Sequence, residues 1–143
     1  MVAFQWVLRM AVVSSLLAST LFEAKSQATS NQKSNTLADV AKAIAHTIDA
    51  NTLKSPGAQL AFDSATAHDN VVEVKYIVND FAAFDRFKSN SKQARAALVG
   101  YYCNDSSRAA YLRQGVVILQ TYVRSDNNDR VEFTIDRSSC DTR

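Results

Sequence analysis

The chain has 143 residues, 47% of them apolar and 21% charged, with a formal net charge of +2. Three glycines and one proline exclude collagen-like, low-complexity and glycine-rich phosphate-loop architectures. Beyond residue 28 there are fourteen basic and thirteen acidic side chains, a balance that gives no electrostatic footprint for nucleic acid or an anionic membrane.

Arg9 precedes an apolar run from Ala11 to Phe22, which ends near the small-residue site Ser26-Gln27-Ala28. This is the pattern of a secretory signal peptide removed on export. A membrane anchor formed by Val2 to Phe22 is the rival reading, but the uncharged run after Arg9 is only about 12 residues against the roughly 20 a span needs. No cysteine lies near the cleavage site, which argues against a lipid-anchored mature N-terminus. The division expected is therefore a signal peptide over 1–28, a polar disordered tether over 29–35 and a single α+β domain over 36–143.

Leu37, Val40, Ala41, Ile44 and Ile48 recur at helical spacing, and Thr36 with Asp39 makes a capping-box start, so a helix runs from Leu37 to about Ala50. Lys54-Ser55-Pro56-Gly57 breaks it. From Leu60 the period becomes two, and a turn at His68-Asp69-Asn70 separates Leu60 and Phe62 from Val72, Val74, Tyr76 and Val78, which reads as a β-hairpin. Glu73 and Lys75 mark its wet face. Asp80 caps a helix from Phe81 to Phe87 that pauses at Ser89-Asn90-Ser91 and resumes to Tyr101, as one helix or two. A short helix from about Ser107 to Arg113 ends at Gly115. A second hairpin joins Val116–Arg124 to Arg130–Asp136, with Val117, Leu119, Thr121 and Val123 expected to face the same way as Val131, Phe133 and Ile135. The order implies an α+β fold: an antiparallel sheet of about four strands in two hairpins, with helices packed on one face.

Cys103 and Cys140 are the only cysteines. In an exported chain they are expected to form one structural disulfide, enclosing a loop of about 38 residues that stabilises by roughly 4 kcal/mol in chain-entropy terms. They lack the Cys-x-x-Cys spacing of a redox-active pair.

No metal, cofactor or catalytic site is expected. His46 and His68 lack metal-ligand spacing and read as solvated surface. The serines lack a nucleophile elbow, and the carboxylate pairs Asp63/Asp69 and Asp80/Asp85 have the spacing that chance supplies. Asn104-Asp105-Ser106 matches an N-glycosylation acceptor, but also fits loop and cap chemistry. Tyr101, Tyr102, Tyr111 and Tyr122 concentrate around the cysteines, with Arg108 and Arg113 near them in sequence. Interfaces enrich this combination, so Tyr101, Arg108, Tyr111 and Arg113 form the candidate interface, although a core with hydroxyls reaching outward explains the tyrosines too. The sheet face around Glu73, Lys75, Glu132 and Thr134 is the second candidate surface.

Cys103, Arg108, Leu112, Gly115, Tyr122, the polar turn Asp126 to Asp129, the strand Val131 to Ile135, and Cys140 together resemble a pattern in small exported bacterial proteins of unassigned function. The upstream hairpin with Leu60, Val74 and Tyr76 also fits. In architecture the chain is similar to the α/β type of type II secretion pilotin, a small disulfide-bearing periplasmic protein that escorts a secretin. Such pilotins are usually lipoproteins, and this chain lacks the lipid-attachment cysteine. The resemblance implies a soluble periplasmic or secreted module that binds another envelope or secreted protein; the charge balance adds the expectation of no nucleic-acid partner, and cleavage of the leader that of no stable membrane insertion. The alternatives are a small-ligand-binding periplasmic protein and a small secreted hydrolase using His46 or His68.

Overall fold

A computed structural model describes residues 36–141; the signal peptide and tether expected over 1–35 lie outside the described residues. Helix α1 (Leu37–Asn51) starts at a reciprocal box. The Asp39 N–H donates to the Thr36 hydroxyl at 3.2 Å, and the Thr36 N–H donates to the Asp39 carboxylate at 3.1 Å. Ala41 and Ala45 lie on the sheet at 0% and 4% exposure, and their small side chains let the helix backbone approach the strands closely.

Strands β1 (Leu60–His68) and β2 (Val71–Val78) pair antiparallel around a tight turn in which Asp69 takes a φ of 52°. Asp tolerates that left-handed position because its short polar side chain bonds locally. A β-bulge between Phe62 and Ser64 shifts the alternation, so Phe62 and Ala65 are both buried in the helix-covered core.

Helix α2 (Phe81–Ser89) is capped by Asp80, which accepts from the Ala83 N–H at 2.9 Å. It is separate from α3 (Ser91–Cys103): Asn90 leaves helical geometry between them. Helix α4 (Ser106–Gln114) is capped by Asp105 and ended by Gly115 at φ 105°. Glycine is favoured at 115 by this left-handed conformation, and a Cβ there would come within 3.3 Å of a Leu37 methyl, which would have to shift slightly. Strands β3 (Val117–Arg124) and β4 (Arg130–Ile135) make the second hairpin, and a short helix that the periodicity did not indicate, α5 (Arg137–Asp141), closes the described chain.

The sheet order is β1-β2-β3-β4, and the fold is α+β as expected. The hairpins are antiparallel, but they join through a parallel β2–β3 pair, so the sheet is mixed and not antiparallel throughout. The reason is the connection. Three helices lie between β2 and β3, long enough to carry the chain back across the sheet to the end where β2 began. The parallel register is pinned there: the Val117 N–H donates to the Asn70 carbonyl at 2.9 Å and the Asn70 amide donates to the Gly115 carbonyl at 2.7 Å.

A second correction concerns β3. Ile118, Gln120 and Tyr122 pair with Ile135, Phe133 and Val131, so these share the helix side, and Val117, Leu119, Thr121 and Val123 face away. Apolar residues occupy both sides of β3, which leaves a period of two without a preferred phase. The helices cover one sheet face. Their core has two parts, one around Val72, Leu112, Val116 and Ile135 and one around Phe84, Phe87, Tyr122 and Phe133, with Tyr76 and Leu98 packed against both.

Candidate functional site: a trough beside the disulfide corner

Helix α1 packs chiefly on β1 and β2, whereas α3 packs on α2, α4, α5 and β4. Two contacts fix how α1 is turned. Asp49 accepts from the Ala65 N–H of β1 at 3.2 Å, and the opposite flank reaches the α4–β3 corner through Leu37 and Gly115. The flank that carries Leu37 also carries Val40, Ile44 and Ile48 by helical periodicity. These three are half-buried against the core, as are Leu98, Tyr101 and Tyr111 of α3 and α4, and Tyr76 of β2 between them. With α1 on one side, α3 and α4 on the other and β2 in the same core, these half-buried apolar side chains are the candidate lining of a trough. Leu53, just beyond the end of α1, is 81% exposed, far more than any other large apolar residue among those described.

The Asp49 carboxyl is held below the usual carboxylate range, first by the Ala65 N–H and then by Lys54, whose ammonium lies 3.2 Å away. Lys54 also sits 5.8 Å from the centre of the Phe62 ring.

The far wall is fixed by different chemistry. Cys103 and Cys140 form the expected disulfide, with Cα atoms 5.4 Å apart, tying the end of α3 to α5. The Arg108 guanidinium stacks on the Tyr101 ring at 3.8 Å, its Nε donates to the Tyr101 carbonyl at 3.0 Å, and it pairs with Asp105 at 3.5 Å. Arg108 therefore closes the C-terminal turn of α3 while carrying its charge at the rim. Tyr102 meets Tyr101 edge-on and is buried. Beneath it the Gln120 amide donates to the Tyr102 hydroxyl and accepts from the Tyr122 hydroxyl, both at 2.7 Å. Burial pushes both phenols well above their ordinary pKa, so they remain neutral hydrogen-bonding groups.

Of the four sequence-predicted interface residues, Tyr101 and Arg108 are in direct contact and Tyr111 packs on the same part of the core. Arg113 is exposed in the last turn of α4, about 140° around the helix from Arg108, and does not join them. The second candidate surface, around Glu73, Lys75, Glu132 and Thr134, lies on the sheet face that none of the described helices covers and is laced by local pairs: Lys75 with Asp63 at 3.3 Å, Arg130 with Glu132 at 3.5 Å. His46 and His68 are exposed. Among the described residues no cluster of His, Cys, Asp or Glu could hold a metal.

Sequence reasoning missed the trough itself. Helical spacing alone assigns Ile44 and Ile48 to the core, and only the placement of α1 makes them a wall. Gln120 carried one legible signal, a long polar side chain directly after the apolar run Val116 to Leu119.

Fold and site together define a small α+β domain with a mixed four-stranded sheet, one helical face and a disulfide binding the end of the third helix to the C-terminal helix. Solved structures share it. A Pseudomonas aeruginosa protein described as secreted superposes with a TM-score of 0.64 at 18% identity, covering 73% of this chain and 92% of its own. The pilotin EpsS of the Vibrio vulnificus type 2 secretion system gives 0.62 at 19%, covering 75% and 94%. The type II secretion pilotin AspS of Vibrio cholerae gives 0.55 at 18%, covering 73% and 92%. The architectural likeness to pilotins read from the sequence is thus borne out at the level of fold. No family model matches the sequence, and no curated protein matches it significantly.

Proposed function

We propose that this chain is an exported, non-enzymatic protein-binding module of the bacterial envelope or secreted fraction, whose trough takes an apolar segment of a partner protein. The observation that carries the reading is that Val40, Ile44 and Ile48 of α1 and Leu98, Tyr101 and Tyr111 of α3 and α4 are all half-buried against the same part of the core, on helices that among the described residues pack chiefly on other elements and not on each other. Interfaces enrich aromatic residues and arginine, and Arg108 and Tyr101 stand preassembled at the rim. Leu53 adds an apolar contact for an incoming chain.

Export is supported by the closed Cys103–Cys140 bridge, which belongs to an oxidising compartment, and by the secreted protein and pilotins that share the fold. Among the described residues no helix is long and apolar enough to cross a membrane. On this reading residues 1–28 are a cleaved signal peptide and 36–143 the working domain. The finer role is that of an envelope assembly factor, with pilotin-like service to a secretion system the specific form that the shared fold favours.

Site-specific photo-crosslinking in the native envelope tests the proposal. A crosslinker at Ile44 or Tyr111 should trap one recurrent partner peptide, and one at Lys75 on the open sheet face should trap none. Adducts from Lys75 alone would move the interface to the sheet, and no peptide adduct from either trough position would remove the trough.

A further inference from the structure

The sheet ends in two edge strands, β1 and β4, and only β1 is closed along its outer side. In β1 a bulge between Phe62 and Ser64 interrupts the outer row of backbone groups, and Asp49 of α1 takes the Ala65 N–H at 3.2 Å. Strand β4 is regular and pairs only with β3. The Arg124 N–H donates to the Asp129 carbonyl at 2.8 Å, which sets the alternation of the β3–β4 ladder. Val131, Phe133 and Ile135 therefore turn their backbone groups to β3, and Arg130, Glu132 and Thr134 turn theirs outward.

Side chains already occupy the donors at both ends of this outer row. The Arg130 N–H donates to the Asp129 carboxylate at 2.9 Å, and the Asp136 N–H donates to the Ser139 hydroxyl at 3.2 Å. Between them, the backbone N–H and C=O groups of Glu132 and Thr134 have no partner among the described residues. Arg130, Glu132 and Thr134 are all exposed.

The segment is complementary to itself. Turned antiparallel about Phe133, the run Arg130 to Asp136 sets Arg130 against Asp136, Val131 against Ile135, Glu132 against Thr134 and Phe133 against its own copy. Opposite charges then meet at both ends, apolar residues meet on the helix side, and the outward groups of Glu132 face those of Thr134. A slip of two residues is the smallest that keeps outward groups opposed. In one direction it sets Glu132 against Glu132, and in the other against Asp136, so like charges meet in both.

We infer that β4 is the contact through which two copies of this chain associate, paired antiparallel about a two-fold axis at Phe133. Each Glu132–Thr134 pair exchanges two N–H···O bonds across the axis. Arg130, now 3.5 Å from Glu132 of its own strand, gains Asp136 of the second copy. The contact is isologous and closes at a dimer. Both helical faces then point the same way, which lets one assembly engage two modules at once. The edge shares no residue with the trough and does not depend on the trough's role.

The paired strands are short, so association is weak and reversible. Sedimentation equilibrium of the exported chain from about 10 µM to about 1 mM should show the mass rising from monomer toward dimer. Over the same range, hydrogen exchange should slow more at the Glu132 and Thr134 amides than at Val131 and Phe133, which are already bonded to β3. Thr134→Pro deletes an outward donor and no β3–β4 bond, and should weaken the dimer roughly a hundredfold. Arg130→Glu places like charges at both ends and should weaken it about tenfold, most at low salt. Melting temperatures check that both variants fold. A monomer throughout the range overturns the inference, as does a dimer of equal strength in wild type and both variants, which would lie on another surface. Slow exchange at Glu132 and Thr134 in a monomer at every concentration also overturns it, in favour of a segment from residues 1–35 filling the edge.

Discussion

The two walls of the trough are built by different means. Helix α1 rests on β1 and β2 through alanines, a few aliphatic side chains, one carboxylate-to-backbone hydrogen bond from Asp49 and the contact of Leu37 with Gly115. The α3–α4 wall is tied covalently through Cys103 and Cys140, stacked and hydrogen-bonded through Arg108, and seated over the Gln120 network. One wall is held by packing that adjusts by small shifts, the other by bonds that fix positions. A site built this way keeps its aromatic face preorganised and leaves trough width to α1, which limits the ordering cost of binding to one helix.

Removing the covalent tie is the strongest way to break this contrast. Cys103→Ala with Cys140→Ala should cost about 2–5 kcal/mol in denaturant unfolding, and a loss below about 1 kcal/mol would mean that the second wall rests on packing as the first does. Next comes the polar seat. Gln120→Ala leaves the buried Tyr102 and Tyr122 hydroxyls without their shared partner, at about 1–3 kcal/mol; an unchanged denaturation midpoint would remove the network from the account.

The α1 side should respond to acid. The folded pKa of Asp49 is lowered, so its clip to Ala65 contributes above the unfolded carboxylate value of about 4 and is lost as pH falls through the folded value. Asp39, Asp129 and Asp136 are lowered too and act with the same sign, chiefly through Thr36, Lys88 and Ser138 respectively. Asp49→Asn should therefore flatten only part of the acid limb of stability against pH. An acid limb identical to that of the wild type would show that the Asp49 clip contributes nothing to folding. Hydrogen exchange sharpens the comparison further: the amides of α1 should open at lower free energy than those of β2 and β3, and equal protection would erase the distinction. The smallest effect belongs to Leu53→Ser, which should leave stability within about 0.5 kcal/mol while weakening partner capture. Unchanged capture would make that exposure incidental.

Much of this was legible before folding. The Thr36–Asp39 box, the Asp80 cap and the left-handed stop at Gly115 are local signals, each set by a few neighbouring atoms, and the helix ends they mark appear where they place them. The cysteine pair was legible because only one pairing exists. The tyrosine and arginine cluster was visible as composition, but its members divided between a stacked pair, a core-packed Tyr111 and an outlying Arg113 once α4 had a rotation.

What the sequence by itself determined was therefore the elements other than α5 and the α2–α3 break, the main helix caps, the disulfide and the helix-covered side of the first hairpin, because periodicity and capping depend on residues within a turn or two. The tertiary structure alone decided the parallel join of the hairpins, the facing of β3, the trough between α1 and α3–α4 and the seating of Gln120 between two tyrosines. Those depend on how a crossover of three helices returns the chain to the sheet, and no local pattern encodes the direction in which two distant strands meet.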